Sequence, residues 1–312
     1  MPTKLESITL ITGSGGMVGG SIARKAKQVG LNVLTPQSTE LDLRDREKTL
    51  DYLRMNNVTQ IIHCAARVGG ISANIEAPAD FILENLLIDS SLLSAARTQK
   101  VEKLIYMGSS CMYPKDFRQP LVELDILAGR LEPTNEGYAL SKISGAKAVE
   151  SVALQDGLAW RVLIPSNLYG PGDNFDPNSS HLIASIIRKI SLASIEKKSS
   201  VEIWGDGKAR REFTYVEDLA NFIVINVEHL NEWPIYMNVG LGIDYSVTDF
   251  YQAVAKLLNY DVKFVHNTSK PVGMMKKLMN SDIAKKYGWK PSTELNEGLR
   301  LTLNWFIENG AR

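Results

Sequence analysis

The chain is short of the residues that would signal disulfide, metal or membrane chemistry. Of 312 residues, two are cysteine and four are histidine. Two cysteines cannot staple a disulfide framework, so a reducing cytoplasm is the expected setting. No grouping of His, Cys and carboxylates has metal-site spacing. Neither charge sign is in excess: 35 Lys plus Arg balance 35 Asp plus Glu. That argues against a nucleic-acid partner. No apolar run is long enough to span a bilayer, and no basic segment leads into a cleavable apolar stretch. Internal repeats, low-complexity tracts and a clean linker are also missing. What is present is globular composition, 44% hydrophobic and 22% charged. It suffices for one large domain or two interlocked ones.

The first half alternates strand-like and helix-like segments. Residues 8–12, 32–35, 41–43, 58–65, 103–108 and 160–164 read as strands. Residues 18–29, 46–55, 77–98 and 136–154 read as helices between them. Such alternation predicts an α/β fold with a parallel, doubly wound sheet, which binds ligands outside the carboxyl ends of its strands. The second half is less regular. A Gly, Pro, Asn and Asp-rich loop over 167–180 precedes helices at 181–194, 216–229, 247–258 and 299–308, with strands at 201–204, 213–215, 236–239 and 262–265. The expected division is a nucleotide-binding domain, 1–166, and a smaller, partly interleaved substrate domain, 167–312, with segments returning to the first.

Gly13-Ser14-Gly15-Gly16-Met17-Val18-Gly19 follows a predicted strand and opens a predicted helix. Glycines there allow a tight turn and close approach to a pyrophosphate, whose charge suits the helix N-terminus. At the tip of the second strand, Thr35-Pro36-Gln37-Ser38 has no acid to bind ribose hydroxyls before Glu40. That favours NADPH, with Ser14 and Ser38 as hydrogen-bond donors and no Arg or Lys at the tip. Asp42 and Leu43 meet the adenine, or Asp42 caps a helix.

Ser109, Tyr138 and Lys142 suit proton transfer at a hydroxyl becoming, or ceasing to be, a ketone. Tyr138 and Lys142 are spaced i,i+4 and share a helix face, so the ammonium is expected to lower the phenol's pKa. Cys111 is superfluous to hydride transfer and points to a second chemistry, with His181 as its acid/base partner. Cys64, His63, His229 and His266 read as structural. Arg211, Lys189 and Trp204, with Asn167, suit a phosphorylated ligand with an apolar ring face.

At these residues the chain resembles the extended short-chain dehydrogenase/reductases, the nucleotide-sugar epimerase and dehydratase group. The resemblance spans nearly the whole chain and is strongest to those acting on GDP-4-keto-6-deoxy sugars. It rests on the glycine turn, Arg67-Val68-Gly69-Gly70-Ile71, Gly108-Ser109-Ser110-Cys111-Met112-Tyr113-Pro114, Leu131-Glu132-Pro133-Thr134-Asn135-Glu136, Asn167-Leu168-Tyr169-Gly170-Pro171, Ser180-His181 and Arg211-Glu212-Phe213. The resemblance implies a Rossmann-type fold, NADPH as cofactor, a GDP-sugar substrate and a homodimer formed through a helix face such as 77–98. It implies Ser109, Tyr138 and Lys142 as a reductase triad, and Cys111 and His181 as epimerisation base and acid. Around the cofactor it adds Ala65, Ala66, Pro165, Asn167, Leu168 and His181 to Gly13 through Gly19, Ser38, Asp42, Leu43, Tyr138 and Lys142. Around the GDP-sugar it implies Ser109, Ser110, Cys111, Asn167, Lys189, Trp204, Arg211 and Lys277.

Lys189 stands where this group has Arg. The group's Lys-Pro-Asp-Gly reads Lys270-Pro271-Val272-Gly273, and its Leu-Asp reads Met279-Asn280. Both latter changes are expected to remove a carboxylate near the substrate. The implied activity is 3,5-epimerisation and 4-keto reduction of GDP-4-keto-6-deoxy-D-mannose to GDP-L-fucose. The alternatives are a nucleotide-sugar epimerase or 4-keto reductase for another deoxy sugar, and a non-catalytic dinucleotide sensor.

Overall fold

The computed structural model describes residues 7–309. The chain runs β1 (Thr9–Thr12), α1 (Met17–Gln28), β2 (Val33–Leu34), α2 (Arg46–Met55), β3 (Gln60–His63), α3 (Ile71–Glu76), α4 (Pro78–Thr98), β4 (Lys103–Met107), α5 (Glu136–Asp156) and β5 (Ala159–Pro165). It continues through β6 (Asn167–Tyr169), α6 (Leu182–Ile195), β7 (Ser200–Trp204), β8 (Arg210–Tyr215), α7 (Val216–Asn226), β9 (Tyr236–Val239), β10 (Asp244–Ser246), α8 (Val247–Leu257), β11 (Lys263–Asn267), β12 (Lys276–Lys277), α9 (Asp282–Lys286) and α10 (Leu295–Asn309).

Six strands form one sheet in the order β2-β1-β3-β4-β5-β9, every neighbouring pair parallel. Its β-branched runs are buried on both faces, as a parallel sheet covered by helices requires. Leu10, Ile61, Leu104 and Tyr106 pack on the α2, α4 and α5 side. Ile11, Ile62, Ile105 and Leu163 pack on the α1 and α7 side. Each such aliphatic side chain contributes about 1.5–3 kcal/mol on burial. The remaining strands build a smaller layer. In it β8 pairs antiparallel with β10 and parallel with β12 and β6, while β7 and β11 form a separate parallel pair. A third core, containing Ile186, Ile187, Phe213, Phe250 and Leu303, fills the space between this layer and α6, α8 and α10.

Several sequence expectations change; residues 167–169, expected in a loop, pair with β8 as β6, and the helix expected to reach 229 ends at Asn226. Residues 41–43 form no strand: Leu41 and Leu43 are buried in the core beside Leu50 and Leu53 from a loop, so their alternation reflects packing without a ladder partner. Asp42 is not a helix cap. Asp45 caps α2, its carboxylate accepting the Lys48 N–H at 3.1 Å. The strand expected at 213–215 begins at Arg210, because β10 and β12 extend its ladder. The last helix starts at Leu295, four residues early, with Leu295 and Leu299 both buried.

Candidate active site

A cleft of about 1250 Å³ lies beyond the carboxyl ends of β1, β3, β4 and β5 and closes against the smaller layer. Every site residue proposed from the sequence lines it, from Gly13 to Lys277.

At one end the glycine turn enters α1. Gly13 has φ +68°, and a Cβ there would lie 2.7 Å from the Ala65 nitrogen. A Cβ on Gly19 would strike the Gly13 carbonyl. The turn is therefore pressed against β1 and β3 and cannot accept side chains. No side chain caps the start of α1 at Gly16, so its first N–H groups face the cleft unpaired. Gln37, Ser38, Asp42 and Arg44 line this end. Ser14 donates to the Thr35 carbonyl at 3.3 Å, tying the turn to the end of β2. Arg44 grips Asp42 through Nε (2.9 Å) and Nη2 (2.8 Å). The Arg44 hydrogen bonds hold the Asp42 carboxyl down at about 2. Arg44 escaped the sequence reading because it lies beyond the strand tip, in Asp42-Leu43-Arg44-Asp45.

In mid-cleft, Ser109 follows β4 by two residues and caps a short 3₁₀ turn, its Oγ accepting the Cys111 N–H at 3.2 Å. The turn aims Cys111 at the cleft, where its Sγ accepts from Asn135 Nδ2 at 3.1 Å and faces Lys277 Nζ at 3.9 Å. Tyr138 and Lys142 lie one turn apart on α5. The expectation that Lys142 lowers the Tyr138 pKa is corrected. Burial pushes the Tyr138 phenol well above its ordinary value, with Cys111 adding to the rise and a hydrogen bond to Ser109 opposing it. Lys142 Nζ instead sits 4.6 Å over the Tyr106 ring. Tyr138 thus holds its proton, as a donor must. His181 precedes α6. Burial pushes its imidazole below the usual value, and the Lys277 charge pushes the same way. Burial also lowers Lys277.

Toward the smaller layer, Lys189 and Lys270 flank the Trp204 ring at 5.4 and 5.3 Å. Burial lowers Lys189, and the Lys270 charge adds to that. Arg211 donates to the Val272 carbonyl at 2.9 Å. Pro271, Val272 and Gly273 line the cleft, so the Val272 change does face the ligand space. Asn280 does not: it pairs with Asp282 at the start of α9, away from the cleft. Asn135 and Lys270 were missed as individual contacts; Asn135 falls inside a segment that carried the resemblance, Lys270 at the start of one that departs from it.

The four residues read as structural lie differently: His229 and His266 are exposed, and Cys64 borders the cleft. His63 is buried between Thr12 and Asp89, and His229 pairs with Glu232 at 3.4 Å on the surface. Burial lifts the Cys64 thiol to about 12. Among the described residues, no group of three His, Cys, Asp or Glu could hold a metal ion, and no helix is long and apolar enough to cross a membrane.

The glycine turn, Tyr138 and Lys142 in one cleft beyond a parallel sheet agree with the family whose model matches residues 9–240, the NAD dependent epimerase/dehydratase family. The chain belongs to this family and is an enzyme of it. It is 46% identical to the GDP-L-colitose synthase of Yersinia pseudotuberculosis, over 96% of this chain and 97% of that one. It is 42% identical to the GDP-L-fucose synthase of Azorhizobium caulinodans, over 96% of both. Among solved structures, the GDP-mannoheptose C4 reductase of Campylobacter jejuni with NADP bound matches with a TM-score of 0.87 and 29% identity. That match covers 98% of this chain and 99% of the other.

Proposed function

We propose that this enzyme epimerises and reduces a GDP-4-keto-deoxy sugar, with GDP-4-keto-6-deoxy-D-mannose as substrate, GDP-L-fucose as product and NADPH as cofactor. The observation that carries this reading is the pairing of two sets of groups in one cleft. Ser109, Tyr138 and Lys142 are placed for carbonyl reduction, and Cys111 with His181 for a chemistry that reduction does not need. The fucose and colitose synthases among its relatives support the GDP-sugar. The NADP-bound reductase, together with Arg44 at the adenosine end, supports NADPH. We assign the six-stranded sheet to the cofactor, and the part after residue 166, less the segments that return to that sheet, to the sugar nucleotide. The exposed Leu83 and Leu87 of α4 support pairing with a second copy, and two free thiols support a reducing cytoplasm.

The chemistry follows from the substrate's ketone. A C4 carbonyl delocalises the carbanion formed at C3 or C5, so a modest base suffices. Cys111 removes each proton as thiolate, beside the Lys277 ammonium, which offsets the charge on Sγ. His181 returns a proton on the opposite face. Ser109 and Tyr138 hydrogen-bond the enolate oxygen, where charge develops. Bound NADPH supplies hydride to C4; the uncapped start of α1 and the side-chain-free Gly13 turn fit its pyrophosphate. Tyr138, which keeps its proton, donates it to the C4 oxygen. We assign Arg211, Lys189 and Lys270 to the diphosphate and Trp204 to an apolar ring face.

The test is cofactor oxidation with GDP-4-keto-6-deoxy-D-mannose in heavy water, with the product analysed by NMR. GDP-L-fucose deuterated at C3 and C5 is expected. Oxidation without deuterium would reduce the enzyme to a 4-keto reductase. Val272, standing in the cleft where a carboxylate was expected, supports a second reading, a different deoxy sugar of the same GDP series. Absence of turnover with the mannose derivative, with turnover of a 3-deoxy analogue, would establish it.

A further inference from the structure

Behind Lys142 runs a buried polar chain that the proposed mechanism does not use. Thr12 Oγ1 accepts backbone N–H groups from Cys64 (3.1 Å) and Ala65 (3.2 Å). Its own proton therefore goes to His63 Nδ1, 2.7 Å away. That fixes Nε2 of the imidazole as the donor to Asp89 Oδ1 at 3.0 Å. Burial pushes His63 below its usual value, which keeps it neutral. The Tyr106 hydroxyl donates to the other Asp89 oxygen. Both oxygens of a carboxylate 3% exposed are thus held by neutral donors, and no cation touches it directly.

Its counter-charge is one ring away. Lys142 is 2% exposed, and its ammonium lies 4.6 Å over the Tyr106 ring whose hydroxyl binds Asp89. Burial works against the Asp89 anion, but Lys142 first, then His63 and Tyr106, outweigh it and hold the carboxyl below its ordinary value. A phenol donating to a carboxylate is richer in electrons, which strengthens its hold on a cation over the ring. The helix is shaped for this contact. A Cβ on Gly145, three residues after Lys142, would meet Asp89 Oδ2 at 2.6 Å and collide with the Tyr106 hydroxyl.

We infer that Asp89 is a positioning residue for Lys142, a buried anion that fixes the catalytic ammonium through the Tyr106 ring. It touches neither cofactor nor substrate space, since neither it nor Tyr106 lines the cleft. Four elements contribute: Thr12 ends β1, His63 ends β3, Asp89 lies on α4 and Tyr106 on β4, all converging under α5. The reductase step thereby depends on groups in the sheet core, while Cys111 and His181 lie outside this chain of contacts.

Two measurements test this inference, and only the second rests on the proposed function. The first is a thermal-stability cycle with Asp89→Asn, Lys142→Met and the double variant. Asp89→Asn is expected to cost less than half as much in the Lys142→Met background, because the partner it serves is already gone. Additive losses would overturn the inference. Should Asp89→Asn not fold, Tyr106→Phe takes its place in the same cycle. The second compares C4 reduction with C5 deuterium exchange. Asp89→Asn is expected to lower kcat for reduction at least 10-fold, leaving exchange and the KM for sugar nucleotide within about two-fold. Equal loss of both activities would mark Asp89 as merely structural and overturn the assignment. An inactive unmutated enzyme would sink the functional reading, and the stability cycle would still decide the role of Asp89.

Discussion

Cys111 Sγ faces the Lys277 ammonium at 3.9 Å, and Lys277 comes from the short strand β12 in the smaller layer. The thiol belongs to the turn after β4, so the candidate base and its counter-charge come from opposite walls of the cleft. Cys111→Ser is expected to slow proton exchange at C3 and C5 by about 100-fold or more. Lys277→Met is expected to slow it roughly 10-fold, by removing the charge that stabilises the thiolate before it takes the proton. NMR of substrate in heavy water checks both. Rapid exchange by the cysteine variant would remove Cys111 from the mechanism.

Burial and the nearby Cys111 thiol keep the proton on Tyr138. Tyr138→Phe is expected to lower C4 reduction by about 10²- to 10⁴-fold, the usual worth of a positioned acid. Exchange at C5 should fall less, because Cys111 and His181 remain and Ser109 still donates to the enolate oxygen. Single-turnover cofactor oxidation, run beside the exchange assay, separates the two steps. Loss of both to the same extent would argue against divided roles.

The Arg44–Asp42 pair stands at the end of the cleft that we propose for the adenosine. A 2′-phosphate would draw Arg44 away from Asp42, whereas NADH offers the guanidinium no such partner. Arg44→Ala is expected to lower kcat/KM for NADPH about 10-fold and leave that for NADH nearly unchanged. Asp42→Asn should shift the preference toward NADPH by freeing the guanidinium. Kinetics with both cofactors give the ratio, and equal losses with both would place Arg44 outside phosphate recognition.

Asp173 is a buried carboxyl whose Oδ2 has no hydrogen-bond partner among the described residues. Burial raises it from 3.8 to about 7 in the folded chain. The folded state therefore keeps a proton that the unfolded chain has already released. That contribution is complete below about pH 4 and is lost as pH rises through 7. Thermal melts from pH 5 to 8 should show the natural chain losing roughly 2–4 kcal/mol relative to Asp173→Asn. Parallel curves would mean that solvent reaches the carboxyl.

Much of the site was legible because its chemistry is written in short spacings. Gly13 to Gly19, Ser109 with Cys111, and Tyr138 with Lys142 each lie within one turn or one helix face, where local geometry decides what neighbours what. The alternation of strands and helices likewise announced the parallel sheet. Boundaries failed where packing overrode local pattern. Leu41 and Leu43 alternate like a strand, yet they are buried from a loop; Arg210 extends a strand because partners from two other segments pair with it.

The sequence by itself determined the fold class, the glycine turn and the shared helix face of Tyr138 and Lys142, since each is written in local patterns of strand, turn and helix. Tertiary structure alone decided the electrostatics. It brought Lys277 to Cys111 across 166 positions of chain and turned Lys142 toward the Tyr106 ring rather than the Tyr138 phenol. It also left Asp89 buried between His63 and Tyr106. Which charge offsets which depends on distance and burial in the folded molecule, and no spacing along the chain encodes either.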